Sequence, residues 1–236
     1  MESKYFVNTM GGVHGTDIFT PVGRAAFVYL AKRNDKFPNE RTGKGKYAVT
    51  ILFPKDDESS KPQLREIQKL CNDMSDFYAQ KEWQKTNKKT SFTAFKKDLE
   101  TKFALTQPIF RDGDKAAYEG FPGHWFIVAK NDENTGSRGI IFMEDRSPEE
   151  FEAGHLVRAQ VQPYVDNKGF SYRLVRIRLV KDDGFRFATA VKAPDLLSGL
   201  DDAVEAAKSS PEASDDVGES YDKALESSEP AGLNVL

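Results

Sequence analysis

His155-Leu-Val-Arg-Ala-Gln-Val-Gln-Pro-Tyr164, the turn Asp166-Asn-Lys-Gly169 and Phe170-Ser-Tyr-Arg-Leu-Val-Arg-Ile-Arg-Leu-Val180 read as two strands joined by a tight connection. In the first, Val157, Ala159 and Val161 alternate with Arg158, Gln160 and Gln162, a period of two that separates a core face from a solvent face. The same count places Tyr164 with Arg158 and Gln162. In the second strand Val175, Ile177 and Leu179 fall on one side, and Tyr172, Arg176 and Arg178 on the other. The expectation is a wall of arginine and tyrosine shared by two adjacent strands. Such a wall can pair phosphates with cations and stack bases on rings.

Working outward, Gly23 to Ala31 is a strand, rich in residues that suit a pleated surface. A basic glycine loop follows, and Tyr47 to Phe53 is its partner strand, with Val49, Ile51 and Phe53 on one face and a stop at Pro54. Ser60 and Gln63 match a capping box, with Pro62 in the first turn. Leu64, Ile67, Cys71, Met74 and Phe77 or Tyr78 then make one apolar stripe, so the spacing predicts a helix to about Trp83. Residues 1–22 read as an irregular arm, and Lys85 to Lys97 as an inserted lobe. Trp125 to Ala129 is a short strand, Gly136-Ser-Arg-Gly139 turns the chain into Ile140 to Met143, and Asp145 to Gly154 holds a helical turn. Phe185 to Val191 closes the body as a further strand. The fold class is therefore mainly β: an OB-fold five-stranded barrel with one inserted amphipathic helix.

Charge divides the chain. Residues 195–236 hold eleven acids and two lysines, a formal −9, which leaves +6 on residues 1–194 within a total of −3. This split suggests a body that binds a polyanion and an acidic appendage. From Ala193 onward Ala, Ser, Asp and Glu dominate, too polar to offset the entropy of ordering. Two regions are expected: an OB-fold polyanion-binding domain over 1–194 and a disordered acidic tail over 195–236.

Other chemistries find little support. His14, His124 and His155 are far apart in sequence, and Cys71 lies on the helix stripe, so no metal site and no cofactor are expected. There is no Gly-x-Ser-x-Gly elbow and no Walker spacing, and an enzyme is not expected. One cysteine excludes an internal disulfide and suits a reducing compartment. Without a signal peptide or an apolar run of ~18 to 20 residues, the expected location is cytoplasmic, with no membrane contact. Nucleic-acid binding is where the patterns agree. Arg41, Lys44 and Lys46 cluster beside Tyr47, and the later strands add Arg158, Tyr164, Tyr172, Arg176 and Arg178. Trp125 is a further stacking candidate.

Several motifs occur in a familiar order: Tyr29-Leu-Ala-Lys32, Gly45-Lys-Tyr-Ala-Val-Thr-Ile-Leu-Phe-Pro54, the helix ending in Phe77-Tyr78-Ala79, Gly154 to Pro163-Tyr164, and a strand ending in Leu179-Val-Lys181. In that order, and with its acidic end, the chain resembles the single-stranded-DNA-binding proteins of T7-like phages and their relatives. The resemblance implies an OB-fold protein that coats single-stranded DNA in phage replication, within the cytoplasm of a bacterial host, with roles in annealing, recombination and repair. It implies Tyr164 as a stacking residue and Lys44 as a phosphate contact. It also implies an acidic tail that contacts the replicative polymerase and helicase-primase and supports a homodimer. Candidate tail residues are Asp215, Asp216, Glu219, Asp222, Glu226, Glu229 and Leu236. The family tail ends on an aromatic, whereas this one ends Leu233-Asn-Val-Leu236.

The tail is expected to compete with DNA for the basic body. Two alternatives stay open on the residues alone: an RNA-binding barrel, and an OB module for protein partners with a solubilising tail.

Overall fold

The structure, a computed structural model, describes residues 5–7, 11–35, 38, 43–86 and 90–187. Five long strands carry the fold: β1 (Gly23–Asn34), β2 (Lys46–Pro54), β3 (His124–Asn131), β4 (Leu156–Asp166) and β5 (Gly169–Lys181). Strands β1 and β2 pair antiparallel, as do β2 with β3, β4 with β5, and β1 with β4 through Gly23–Val157 and Arg24–Leu156. Among these five strands one pairing is parallel, β3 with β5, through Tyr172–Ala129 and Arg173–Lys130; the short strand Ile141–Phe142 also runs parallel to β5. The order β4–β1–β2–β3–β5 thus returns to β4. The chain is mainly β, with a mixed sheet and two helices.

On β2, Val49, Ile51 and Phe53 share a face with Ile127 and Ala129 of β3, and all five are buried. They meet Val157, Ala159 and Val161 of β4 and Leu174 and Ile177 of β5 as the apolar set the alternation calls for. Gly23 is required where β1 crosses this layer, because a Cβ there would lie 2.6 Å from Ile51 and 2.7 Å from the Leu52 carbonyl.

Helix α1 (Lys61–Lys85) buries the expected stripe of Leu64, Ile67, Cys71, Met74 and Tyr78. Burying each large apolar side chain there contributes about 1.5–3 kcal/mol. Its start differs from the capping-box expectation. Ser60 already has helical backbone angles, so its hydroxyl donates back to the Asp57 carbonyl at 3.0 Å instead of capping. The Asp57 carboxylate accepts from the Ser59 amide and hydroxyl.

Three further expectations are corrected. The insertion holds a second helix, α2 (Phe92–Thr106), so there are two helices where one was expected. Ser91 caps it by accepting from the Ala94 amide, and Phe103 is buried between Tyr78 and Phe170. The arm is not irregular throughout: Val13–His14 and Ile18–Phe19 pair with β4, extending β1 backwards along it. Residues 182–187 form no strand; turns at Asp182 and Asp183 hold them. The expected strand residues 188–191, Arg41, the boundary at 194/195, and the tail with its candidates from Asp215 to Leu236 lie outside the described residues.

Candidate nucleic-acid interface

The alternation on β4 holds from end to end. Val157, Ala159, Val161 and Val165 are buried, and Arg158, Gln160, Gln162 and Tyr164 face the other way. Strand β5 does not keep one phase. Leu174 pairs with Val161 and Arg176 with Gln160, so Val175 is an extra residue, a β-bulge that reverses the faces on either side. Beyond it Arg176 and Arg178 point outward; before it Arg173 does, and Tyr172 points inward.

Tyr172 is therefore withdrawn as a stacking residue. It is 5 % exposed, its hydroxyl donates to the Ile109 carbonyl at 2.7 Å, and it lies 3.7 Å from the Cys71 sulfur. Burial pushes the Cys71 thiol up to about 12, so it is no thiolate near neutral pH.

The outer wall of β4 and β5 thus carries Arg158, Tyr164, Arg176 and Arg178 as expected, and gains Arg173. Register adds Phe19 opposite Gln160 and His14 opposite Tyr164. Arg158 donates to the Thr20 carbonyl at 3.1 Å, with its guanidinium 5.5 Å from the Phe19 ring centre. Arg173 donates to the Arg138 carbonyl, and Arg178 pairs with Glu144 at 2.6 Å. The Tyr164 ring packs 4.6 Å from that of His14 and covers Gly12, where any Cβ would overlap it. Burial, then the charge of Arg173, holds the His14 imidazole below its usual value.

The remaining expected residues divide between two other places. Trp125 pairs with Phe53 and lies under the Lys55 amine, 4.3 Å from its ring centre; Lys55 in turn pairs with Asp112 and Asp114. Tyr47 is half-buried beneath Arg33, whose guanidinium is 4.8 Å from its ring centre. Lys44 is exposed before β2, and Lys46 lies 3.4 Å from Asp132 on the surface.

Lys46 belongs to a second cationic surface. Lys130 on β3 pairs with Ala48, and Arg111, on the short strand Arg111–Asp112, pairs with Phe126. Lys130 and Arg111 are both solvent-exposed residues, yet enough protein crowds the Lys130 amine that partial desolvation first, then the charges of Arg111 and Lys46, hold it below its usual value. Partial desolvation also lowers Arg111 against the opposing influence of Tyr118. Among the described residues neither Lys130 nor Arg111 has an acidic partner.

Rings adjoin these cations. Phe126 packs on Phe121 at 5.0 Å, Phe121 on Tyr118 at 5.2 Å, and Tyr118 edge-on against Phe27 at 4.9 Å. Tyr118 is 37 % exposed. Phe27 sits at a register shift in β1 with a φ of 47°, a left-handed geometry that L-residues adopt at a cost. That irregularity turns its ring onto the cluster of Ala26, Leu52, Phe121 and Phe126, and Phe187 packs there as well.

Sequence reasoning missed Arg111, Lys130, Tyr118 and Phe27. No local spacing connects Arg111 with Lys130; the pairing of Arg111–Asp112 with β3 brings them together.

No family model matches the chain, and no curated protein does. Solved structures do. The chain is similar to the single-stranded DNA-binding protein from bacteriophage Enc34, at 16% identity over 84% of this chain and 96% of that one, with a TM-score of 0.45. It is similar to the same protein in complex with ssDNA, at 18% identity over 78% and 93%, TM-score 0.38. It is also similar to gp2.5, a single-stranded DNA binding protein encoded by bacteriophage T7, at 17% identity over 84% and 99%, TM-score 0.40. Among the described residues no group of His, Cys, Asp and Glu can hold a metal ion, and no helix is long and apolar enough to cross a membrane.

Proposed function

We propose that this chain is an OB-fold protein that binds single-stranded DNA without sequence preference. The observation that carries the reading is the convergence of Lys46, Arg111 and Lys130, two of them without an acidic partner among the described residues, beside Tyr118 and Phe27. Three like charges held together repel one another. A chain of phosphates relieves that repulsion and releases its own counterions. The adjacent rings accept bases by stacking, at about 1–3 kcal/mol each, and every base has a face to offer.

In this reading phosphates follow Lys44, Lys46, Lys130 and Arg111 along the outer face of β2 and β3, and bases lie against Tyr118 and Phe27. The chain's role is in phage DNA replication, with strand annealing, recombination and repair alongside. The acidic tail competes with DNA for the cations and, once displaced, recruits the polymerase and helicase-primase; a homodimer forms through it. Phe187 supports the competition, because it packs on the Phe121 cluster only a few residues before the acidic stretch begins.

The test is a titration with labelled oligo-dT, with the matching duplex and with oligo-U. Tight, salt-sensitive binding to oligo-dT alone supports the reading. Preference for oligo-U makes the chain an RNA-binding protein, and indifference to all three makes it a protein-interaction module.

A further inference from the structure

We propose that one unpaired strand runs without a break from Lys46, Arg111 and Lys130 over Arg173 onto a ladder of three rings, Tyr164, His14 and Phe6, which the arm builds beside β4. The inference rests on the single-stranded-DNA reading and gives that site its full length. Of the four residues it adds, sequence reasoning expected only Tyr164 to bind. The join is at Arg173. This residue is the register partner of Lys130 on β3 and of Gln162 on β4, so the cations of β2 and β3 and the outer wall of β4 share one face. Arg173 and Lys130 are both exposed on it. The His14 imidazole feels the charge of Arg173, which ties that guanidinium to the rings as well.

Strand pairing builds the ladder. Phe6–Val7 runs antiparallel to Val13–His14 with Phe6 opposite His14, and His14 is in turn opposite Tyr164. Cross-strand partners project to the same side, so the rings line up across three strands. Their centres are 6.1 Å apart from Phe6 to His14 and 4.6 Å apart from His14 to Tyr164. The arm's backbone at Gly12 lies against the Tyr164 ring and takes part of its face. Open ring surface therefore passes outward to Phe6, which is 70 % exposed. A phenylalanine so exposed contributes little to the core, and a base closing on it buries its outer face.

Charge and reach fit a polynucleotide. Arg173 donates to the Arg138 carbonyl at 2.9 Å, and among the described residues it has no carboxylate partner, so its other N–H groups are left to meet a phosphate. From Phe6–Val7 through Val13–His14, β4, β5 and β3 to β2, six strands lie side by side. At the usual spacing of about 4.8 Å between strands, the track follows the surface for about 24 Å, the length of several nucleotides. An acidic peptide would satisfy the cations and leave the Phe6 ring uncovered.

The experiment measures the affinity of the full chain for oligo-dT by fluorescence anisotropy in low-salt buffer, with strands of about four and about twelve nucleotides, lengths within the range of one OB fold. Phe6→Ala is expected to weaken the longer strand about tenfold, the loss of one stacked base, and the shorter strand by no more than about twofold. Phe6→Tyr keeps a ring and is expected to bind both as the wild type does. Arg173→Ala is expected to show the same dependence on length as Phe6→Ala. If either alanine variant binds the longer strand as tightly as the wild type, the ladder is overturned and the primary reading stands. Equal losses at both lengths overturn the continuous track, by making the arm the main site. A Phe6→Tyr variant as weak as Phe6→Ala overturns stacking on that ring. A wild type that binds neither strand sinks the single-stranded-DNA reading itself.

Discussion

Tyr172 and Arg176 lie four residues apart on one strand and point to opposite faces of it, because Val175 enters the pairing with no residue across from it. The tyrosine is sealed against Cys71 and Ile109, and the arginine is exposed. Each is thereby assigned a separate task, one in stability and one in charge.

Tyr172→Phe removes the hydroxyl that serves the Ile109 carbonyl and leaves that acceptor unpaired. The expected cost is about 1–2 kcal/mol of stability, read from urea unfolding, with oligo-dT affinity unchanged. Lost affinity at unchanged stability would put the ring back on the binding surface.

Tyr118→Ala removes an exposed ring from the Phe27–Phe121 stack. Oligo-dT affinity is expected to fall by about 1–3 kcal/mol in a fluorescence titration, with the far-ultraviolet dichroism of the wild type retained. Unaltered affinity removes Tyr118 from the site.

Lys130 gives the binding a pH signature. Although the residue is exposed, its folded-state amine is held below the ordinary lysine value by partial desolvation and by Arg111 and Lys46. Between the lowered value and the ordinary one the unfolded chain carries more protons, so stability rises with pH across that window. A phosphate beside the amine restores its proton. Complex formation in the same alkaline window is therefore expected to take up protons, detected as a buffer-dependent binding enthalpy, and Lys130→Ala should abolish the uptake. Equal enthalpies in buffers of different ionisation heat contradict this placement of the phosphate.

The last described segment is tied down by charge. Asp183 is held at about 2, chiefly by its hydrogen bond from Arg24, and Asp182 is held lower still by Arg186. Both carboxylates favour the folded form when ionised. Their contribution is complete above the ordinary carboxylate range and is lost as pH falls through the lowered values. Acidification below about pH 4 is expected to raise hydrogen exchange at Phe185 and Phe187 before the strands open. Arg24→Ala should move that onset to higher pH; an onset unaffected by the substitution argues against the tie.

What the sequence disclosed, and what it hid, follows from where backbone regularity breaks. β4 has no bulge within it, so counting by twos from Val157 finds Arg158 and Tyr164 correctly. The same count fails on β5 because a single bulged residue inverts everything before it, and the letters around Val175 give no sign of one. Helix α2 carries Phe92, Phe95, Leu99 and Phe103 at helical spacing, but only Phe103 is buried, and the surrounding lysines and threonines mask the stripe. The arm pairs with β4 through two strands of only two residues each, Val13–His14 and Ile18–Phe19, too short to leave a periodic signature. The cationic patch on β2 and β3 is a product of tertiary pairing. Lys46 was visible as part of a basic loop, whereas Arg111 and Lys130 become neighbours only when the segment before β3 folds back along it.

The most direct measurement compares oligo-dT affinity, by fluorescence anisotropy in low-salt buffer, for the full chain and for Lys46→Ala/Arg111→Ala/Lys130→Ala. The account predicts roughly tenfold weaker binding, about 1.4 kcal/mol or more, and a log–log salt slope flatter by about 2, with the fold intact by circular dichroism. A folded triple variant that binds as tightly as the wild type, with the same salt slope, would contradict it.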